Sequence, residues 1–270
     1  MSLKRILAVA AVLGAVVALA ASPIANVPAA PAEPVTESPI AQAVPQPEVV
    51  AAEVVALPVD GPALPGDIAR GESKAISCAA CHGVDGNAAD PQYPNIAGQH
   101  QDFIARQLKL YKSGERDNAI MMGFASMLSS QDMRDLGAYF ASQQPRPGVA
   151  DETLIAEGPN AGERFYEVGE KLFRSGDLSR GIPSCAACHG PAGAGVPGPA
   201  WPRLAAQHAP YTAQQLRLFR DGMVWGEDDN ANGIMASVAR NLTDEEIDSL
   251  ASYLQGLHDL RDTRPTTAAR

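Results

Sequence analysis

This chain is short of the residues that ordinarily stock a protein core. Aromatic residues are only 5% of its 270, so two conventional cores would lack flat apolar filling. Domains that are small tend to need a staple, a metal or a cofactor to be stable. Positive charge is also scarce. The net charge of −10 argues against nucleic acid or an anionic lipid surface as the partner. No stretch alternates apolar and polar residues as a half-buried strand would, so the expected class is all-α. Long apolar runs are confined to the N-terminus, where Ile6 to Ala20 falls short of the ~20 residues of a membrane span.

Cysteine is rare too, and all four are spent in one pattern used twice. Cys78-Ala79-Ala80-Cys81-His82-Gly83 returns as Cys185-Ala186-Ala187-Cys188-His189-Gly190. C-x-x-C-H is the attachment signature of c-type haem. On one helical turn, positions i, i+3 and i+4 share a face, so two thiols and an imidazole can meet a single porphyrin. The thiols add to the vinyl groups and the histidine becomes an axial iron ligand. Two other readings of the cysteines fit less well. A zinc site would space its C-x-x-C pairs by ~15–20 residues, whereas Cys81 and Cys185 lie 104 apart. A dithiol redox pair would sit beside a βαβ pattern, and neither alternative explains a histidine after both pairs. Two covalent haem c groups, one in each half, would also supply the missing flat apolar surface.

The N-terminus carries Lys4 and Arg5, then the apolar run, then Ala18-Leu19-Ala20, the pattern of an export signal with its cleavage site. Residues 1–22 are therefore expected to be a signal peptide or an uncleaved membrane anchor. Residues 23–65, rich in Ala, Pro, Val and Glu, read as a weakly structured linker. A long tether is most useful if one end stays in a membrane. The first domain is expected over 66–147, the second over 148–262, with a tail at 263–270.

The second domain repeats the first. Tyr93-Pro94-Asn95-Ile96-Ala97-Gly98-Gln99-His100 matches Trp201-Pro202-Arg203-Leu204-Ala205-Ala206-Gln207-His208. Gln107 to Gly114 matches Gln215 to Gly222. Helices are expected from Asp67 to Ile76 and from Gln101 to Ser113, the latter with Phe103, Gln107, Leu108 and Tyr111 on one face. Ser129 with Asp132, and Thr243 with Glu246, read as capping boxes that open the closing helices. Those helices would bury Met133, Leu136 and Phe140 in one half, and Ile247, Leu250 and Leu254 in the other.

Met121 and Met235 occupy equivalent places, each seven residues before a leucine and each expected in the loop ahead of a capping box. A thioether opposite an imidazole favours ferrous iron and closes the iron to substrates. Met121 and Met235 are therefore the expected sixth ligands beside His82 and His189, with Met122 as a neighbouring competitor. Met127 and Met133 have no counterparts and are expected to be packing residues. Pro94 and Pro202 follow their histidines by 12 and 13 residues. A carbonyl held there is placed to accept the imidazole's other N–H. His100 and His208 also repeat, but after Gln at a helix start they read as structural hydrogen-bonders.

These residues make the chain resemble the dihaem cytochrome c4 family, two class I cytochrome c domains in tandem. The resemblance covers about residues 66–260, and Gly169-Glu170-Lys171-Leu172-Phe173-Arg174 before the second pentad is part of it. It implies a periplasmic carrier of single electrons between a quinol-oxidising complex and a haem–copper terminal oxidase. The alternatives are the electron-accepting haem subunit of a dehydrogenase, or a dihaem enzyme such as a peroxidase. The chain departs from the family in its linker and in an acidic insertion. Residues 66–147 carry 9 acids and 8 bases, whereas 148–262 carry 17 and 9. Glu227-Asp228-Asp229 and Asp244-Glu245-Glu246 are expected to steer a basic partner.

Since the pentads consume every cysteine, acid–acetone extraction should leave the colour on the protein, and the holoprotein should show no titratable thiol. Extractable haem, or a thiol signal, would contradict the haem c assignment.

Overall fold

The computed structural model describes residues 64–197, 201–226, 232–260 and 262. The expected signal, all of the linker but its last two residues, the tail and Glu227-Asp228-Asp229 lie outside these. Among the described residues the fold is all-α, with ten helices, one 3₁₀ turn and three isolated β-bridges. None of the helices is long and apolar enough to cross a membrane.

The first half comprises α1 (Ile68–Ala75), α2 (Ala79–His82), α3 (Gln101–Ser113), α4 (Ala119–Ser126) and α5 (Ser130–Ala141). The second comprises α6 (Phe165–Ser175), α7 (Ala186–His189), α8 (Ala209–Arg220), α9 (Gly233–Ala239) and α10 (Asp244–Gly256), with the 3₁₀ turn Leu178–Arg180 ahead of α7. Both expected capping boxes form. The hydroxyl of Ser129 accepts from Asp132 N, that of Thr243 accepts from Glu246 N, and each N3 carboxylate accepts from the cap's N–H. Such caps satisfy N–H groups that a helix start leaves orphaned.

In each half the first helix crosses the last at a glycine. A Cβ on Gly71 would fall 2.0 Å from the carbonyl oxygen of Asp135, and one on Gly169 would fall 2.0 Å from that of Ser249. No side chain fits there, so the glycines set how closely α1 meets α5 and α6 meets α10. Around the crossings lie Met133, Leu136 and Phe140 in one core, and Phe173, Ile247, Leu250 and Leu254 in the other.

Two expectations fail. Met121 and Met235 sit within α4 and α9, not in loops. The segment Ala-Ile-Met-Met-Gly-Phe-Ala-Ser is apolar nearly all round, so it shows no helical period, but an Asn118 cap starts it as a helix. Met127 is 68% exposed and packs no core, whereas Met133 is buried as expected.

The two crossings differ in chemistry. Asp135 on α5 is buried and accepts from Arg70 Nε at 2.9 Å, Asp67 N at 2.9 Å and Gln131 Nε2 at 2.8 Å. Burial alone would push this carboxyl up. The bonds from Arg70, Asp67 N–H and Gln131 outweigh it and hold the group at about 2. The same places in the second half hold Val168 and Ser249, both buried and uncharged. A carboxyl depressed by folding stabilises the fold above its unfolded value near 4, and this is lost as pH falls towards 2. The loss should be about 2 kcal/mol, with half-exposed Arg70 tempering it. Asp135→Asn should lower thermal stability at pH 7 and flatten its fall between pH 4 and 2, followed by circular dichroism. A variant with the wild-type acid profile would contradict this role.

Candidate haem sites

Each pentad forms a single helical turn, α2 or α7, closed by a glycine at φ 76°. The loop that follows is tied back to it. Gly86 O accepts from Ile96 N at 2.7 Å and Ala97 N at 3.0 Å, and Gly193 O accepts from Leu204 N at 2.8 Å and Ala205 N at 3.0 Å. The same loop is pinned to the closing helix, since Gly98 N donates to Phe140 O at 2.8 Å and Ala206 N to Leu254 O at 3.0 Å. Gly98 (φ 66°) and Ala206 (φ 64°) adopt the same left-handed turn there, and Ala206 is the one non-glycine residue with positive φ among those described.

This tether delivers a proline carbonyl to each histidine. His82 Nδ1 donates to Pro94 O at 2.9 Å, and His189 Nδ1 donates to Pro202 O at 2.9 Å. Both rings are buried, and burial pushes both below the usual histidine range, against the pull of those carbonyls. The result is a neutral imidazole with its proton fixed on Nδ1, leaving Nε2 as the free lone pair for a metal.

The histidines, all four cysteines, Pro94, Pro202, Met121 and Met235 line one cavity of about 980 Å³ shared by the two halves. Met122 does not line it and is 44% exposed. Phe103, Gln107, Leu108 and Tyr111 of α3 all line it. The thiols do not resemble reactive ones. Burial pushes Cys185 up to about 11 and raises Cys78, the reverse of an activated thiolate. Nor do three or more His, Cys, Asp or Glu side chains converge as a zinc site requires, among the described residues.

Sequence reasoning missed two sets of residues. Asn118 caps α4, its side chain accepting from Met121 N at 2.9 Å, and Asn232 occupies the equivalent cap of α9, its carbonyl accepting from Met235 N at 2.9 Å. The signal was present as Asn-x-Ile-Met in both halves. The second is Arg116, buried where the halves meet. It donates to Gln107 Oε1, Tyr211 OH and Gln215 Oε1 and stacks 3.9 Å from the Trp225 ring centroid. It has no carboxylate partner among the described residues. A buried guanidinium on an apolar cavity suits a ligand that brings its own carboxylates, as haem does. Apolar walls, paired thiols, an Nε2 lone pair and a thioether in each half likewise fit that group.

Two helical halves built alike, each with a C-x-x-C-H turn and a proline-locked imidazole, define a tandem cytochrome c protein. The cytochrome c family model matches residues 68–144 and 166–258. Cytochrome c4 of Pseudomonas aeruginosa is 42% identical over 193 residues, covering 72% of this chain and 90% of that protein. The crystal structure of reduced recombinant cytochrome c4 from Pseudomonas stutzeri superposes with a TM-score of 0.64 at 40% identity, covering 72% of this chain and all of that one. A thiosulfate dehydrogenase electron acceptor from Thiomonas intermedia is 35% identical, covering 71% and 83%. The chain belongs to the cytochrome c4 family of electron-transfer proteins. Membership implies covalent haem c, and the two C-x-x-C-H motifs fit two such groups.

Asn118→Ala should cost about 1 kcal/mol in the first half through loss of the cap. It should also loosen the turn that carries Met121, read as faster displacement of the sixth ligand by added imidazole. An unchanged displacement rate would separate the cap from the methionine.

Proposed function

We propose that the protein carries single electrons between partners outside the cytoplasmic membrane, using two His/Met-ligated haems. Bound haem supplies the one-electron ferrous/ferric couple. Cys78 and Cys81, and Cys185 and Cys188, hold the rings covalently. His82 and His189 bind iron through Nε2, and Pro94 and Pro202 fix the tautomer. Met121, on a helix capped by the Asn118 side chain, and Met235, three residues after Asn232 on its own helix, would supply the sixth ligands, and the apolar walls would exclude water. Arg116, on the cavity wall, would be available to pair with the carboxylates of the bound rings. The observation that carries this reading is the presence, in each half, of a proline-locked histidine and a methionine on the same cavity.

Export rests on the N-terminal signal pattern, and a periplasmic location, soluble or tethered to the inner membrane, follows from it. The family resemblance favours a quinol-oxidising complex as donor and a terminal oxidase as acceptor. The relative named as a thiosulfate dehydrogenase electron acceptor supports a second reading, in which a dehydrogenase is the donor. A peroxidase would need an open or easily displaced ligand, and both irons have a methionine available.

The acids at 244–246, expected to steer a partner, also have partners within the fold. Asp244 pairs with Arg220 at 2.9 Å and Arg217 at 3.5 Å, Glu245 accepts from Asn160, and Glu246 caps α10 and pairs with Arg180. Pairing within the fold tempers the field of this cluster, although Asp244 remains exposed, and Glu227, Asp228 and Asp229 lie outside the described residues.

Met235→Ala should remove one haem's share of the Met–Fe(III) near-infrared band and lower that haem's potential, since a ligand favouring ferrous iron is lost. Met121→Ala should do the same to the other haem, while Met122→Ala should leave the band intact. A larger effect from Met122 would overturn the first-half ligand, and high-spin iron in the wild type at neutral pH would favour the enzyme.

A further inference from the structure

The two halves are joined by a reciprocal pair of glutamine clamps. Gln99 of the first half accepts through Oε1 from Arg203 N at 2.9 Å and donates through Nε2 to Arg203 O at 3.0 Å. Gln207 of the second half accepts from Asn95 N at 2.8 Å and donates to Asn95 O at 2.9 Å. Gln99 and Gln207 are equivalent positions of the repeat, as are Asn95 and Arg203. The contact is therefore two-fold in character, each half gripping the other at the same place.

The place gripped matters. Arg203 N–H belongs to the peptide unit whose carbonyl is that of Pro202, and Asn95 N–H to the unit whose carbonyl is that of Pro94. Those carbonyls accept from His189 and His82. Each peptide thus accepts a proton from its own half's histidine and donates one to the opposite half's glutamine. Donation from the N–H polarises the unit and makes its carbonyl a stronger acceptor, strengthening the next bond by about 10–30%. The amide cannot turn over. Gln99 Oε1 also accepts from His100 N, and Gln207 Oε1 from His208 N, both at 3.0 Å, so a flip would set an NH₂ group against two N–H donors. Gln99 is buried, which shields its relay from competing water.

We infer that Gln99 and Gln207 are positioning residues that act crosswise, each setting the strength of the opposite half's histidine–carbonyl hydrogen bond and so the redox balance of the opposite haem. The inference rests on His82 and His189 being iron ligands. A stronger Nδ1–H bond gives the imidazole more anionic character and favours ferric iron. Removing the glutamine acceptor weakens that bond, so the affected haem becomes easier to reduce. The two haems thereby sense whether the halves are clamped together.

The test uses the dihaem holoprotein with Gln99→Met and Gln207→Met, each of which keeps bulk and removes both hydrogen bonds to the opposite half, along with the local one from the following histidine's N–H. Gln99→Met should lower the ferric-to-ferrous ratio of the His189 haem about twofold to threefold at a fixed potential, or about 18–28 mV at 59 mV per tenfold. The His82 haem should not move. Gln207→Met should do the reverse. Resolved redox titration reads the potentials, and the His Nδ1–H proton resonance of the reduced protein should shift in the opposite half alone. Gln99→Glu keeps an acceptor opposite Arg203 N–H and should return the ratio to wild type or beyond. Unmoved potentials, or shifts confined to the variant's own half, with the Met–Fe(III) band intact would overturn this inference alone. A wild type without that band would overturn the ligation reading and this inference with it.

Discussion

An imidazole offers iron the nitrogen that does not carry its proton, and an acceptor held against the other nitrogen fixes both the tautomer and the ring's orientation in advance. Here that acceptor is a proline carbonyl in each half, and much of the fold serves to hold that carbonyl still. Glycine lets the first and last helices of a half cross in backbone contact, which fixes the last helix. That helix pins the loop through Phe140 O or Leu254 O, and the loop presents Pro94 or Pro202 to the histidine. A shift at the crossing would therefore be passed on to the imidazole through these backbone hydrogen bonds.

The halves keep this chain of constraints while differing in what surrounds it. A buried carboxylate braces the first crossing, whereas Val168 and Ser249 leave the second uncharged. A carboxylate paired to a half-exposed arginine and an uncharged pair can support similar geometry, because burying the carboxylate costs desolvation that offsets much of the attraction. Between the halves the contacts are largely neutral amides and backbone groups, with His208 Nε2 donating to Ala88 O at 3.0 Å and Asn95 Nδ2 to Ala206 O at 2.7 Å. The unusual φ of Ala206 is where that last carbonyl is displayed. Such contacts are directional, so they set the mutual orientation of the halves, on which electron passage between two haem edges depends.

The parts legible in the sequence were those written in local chemistry. The pentads, the capping boxes and the apolar faces of α3, α5 and α10 each depend on spacing within a few turns, and the repeat doubled every signal. The helices α4 and α9 were not legible because their apolar residues face a cavity on one side and remain partly exposed on others, which erases the period. Asn118 and Asn232 announced them, but a cap is visible only to a reader already looking for a helix. Gln99 and Gln207 were seen as a repeated letter. Nothing local could show that each reaches into the other half, since that contact links residues more than a hundred positions apart.

The central claim is that each half pairs a proline-locked histidine with its own methionine on one iron. Proton NMR of the reduced, diamagnetic holoprotein tests it most directly, because a methionine methyl lying over a haem face is shifted far upfield by the ring current. The account requires one such methyl signal from each half, assigned to Met121 and to Met235. A half without a shifted methyl, or a shifted methyl that belongs to Met122, would contradict it.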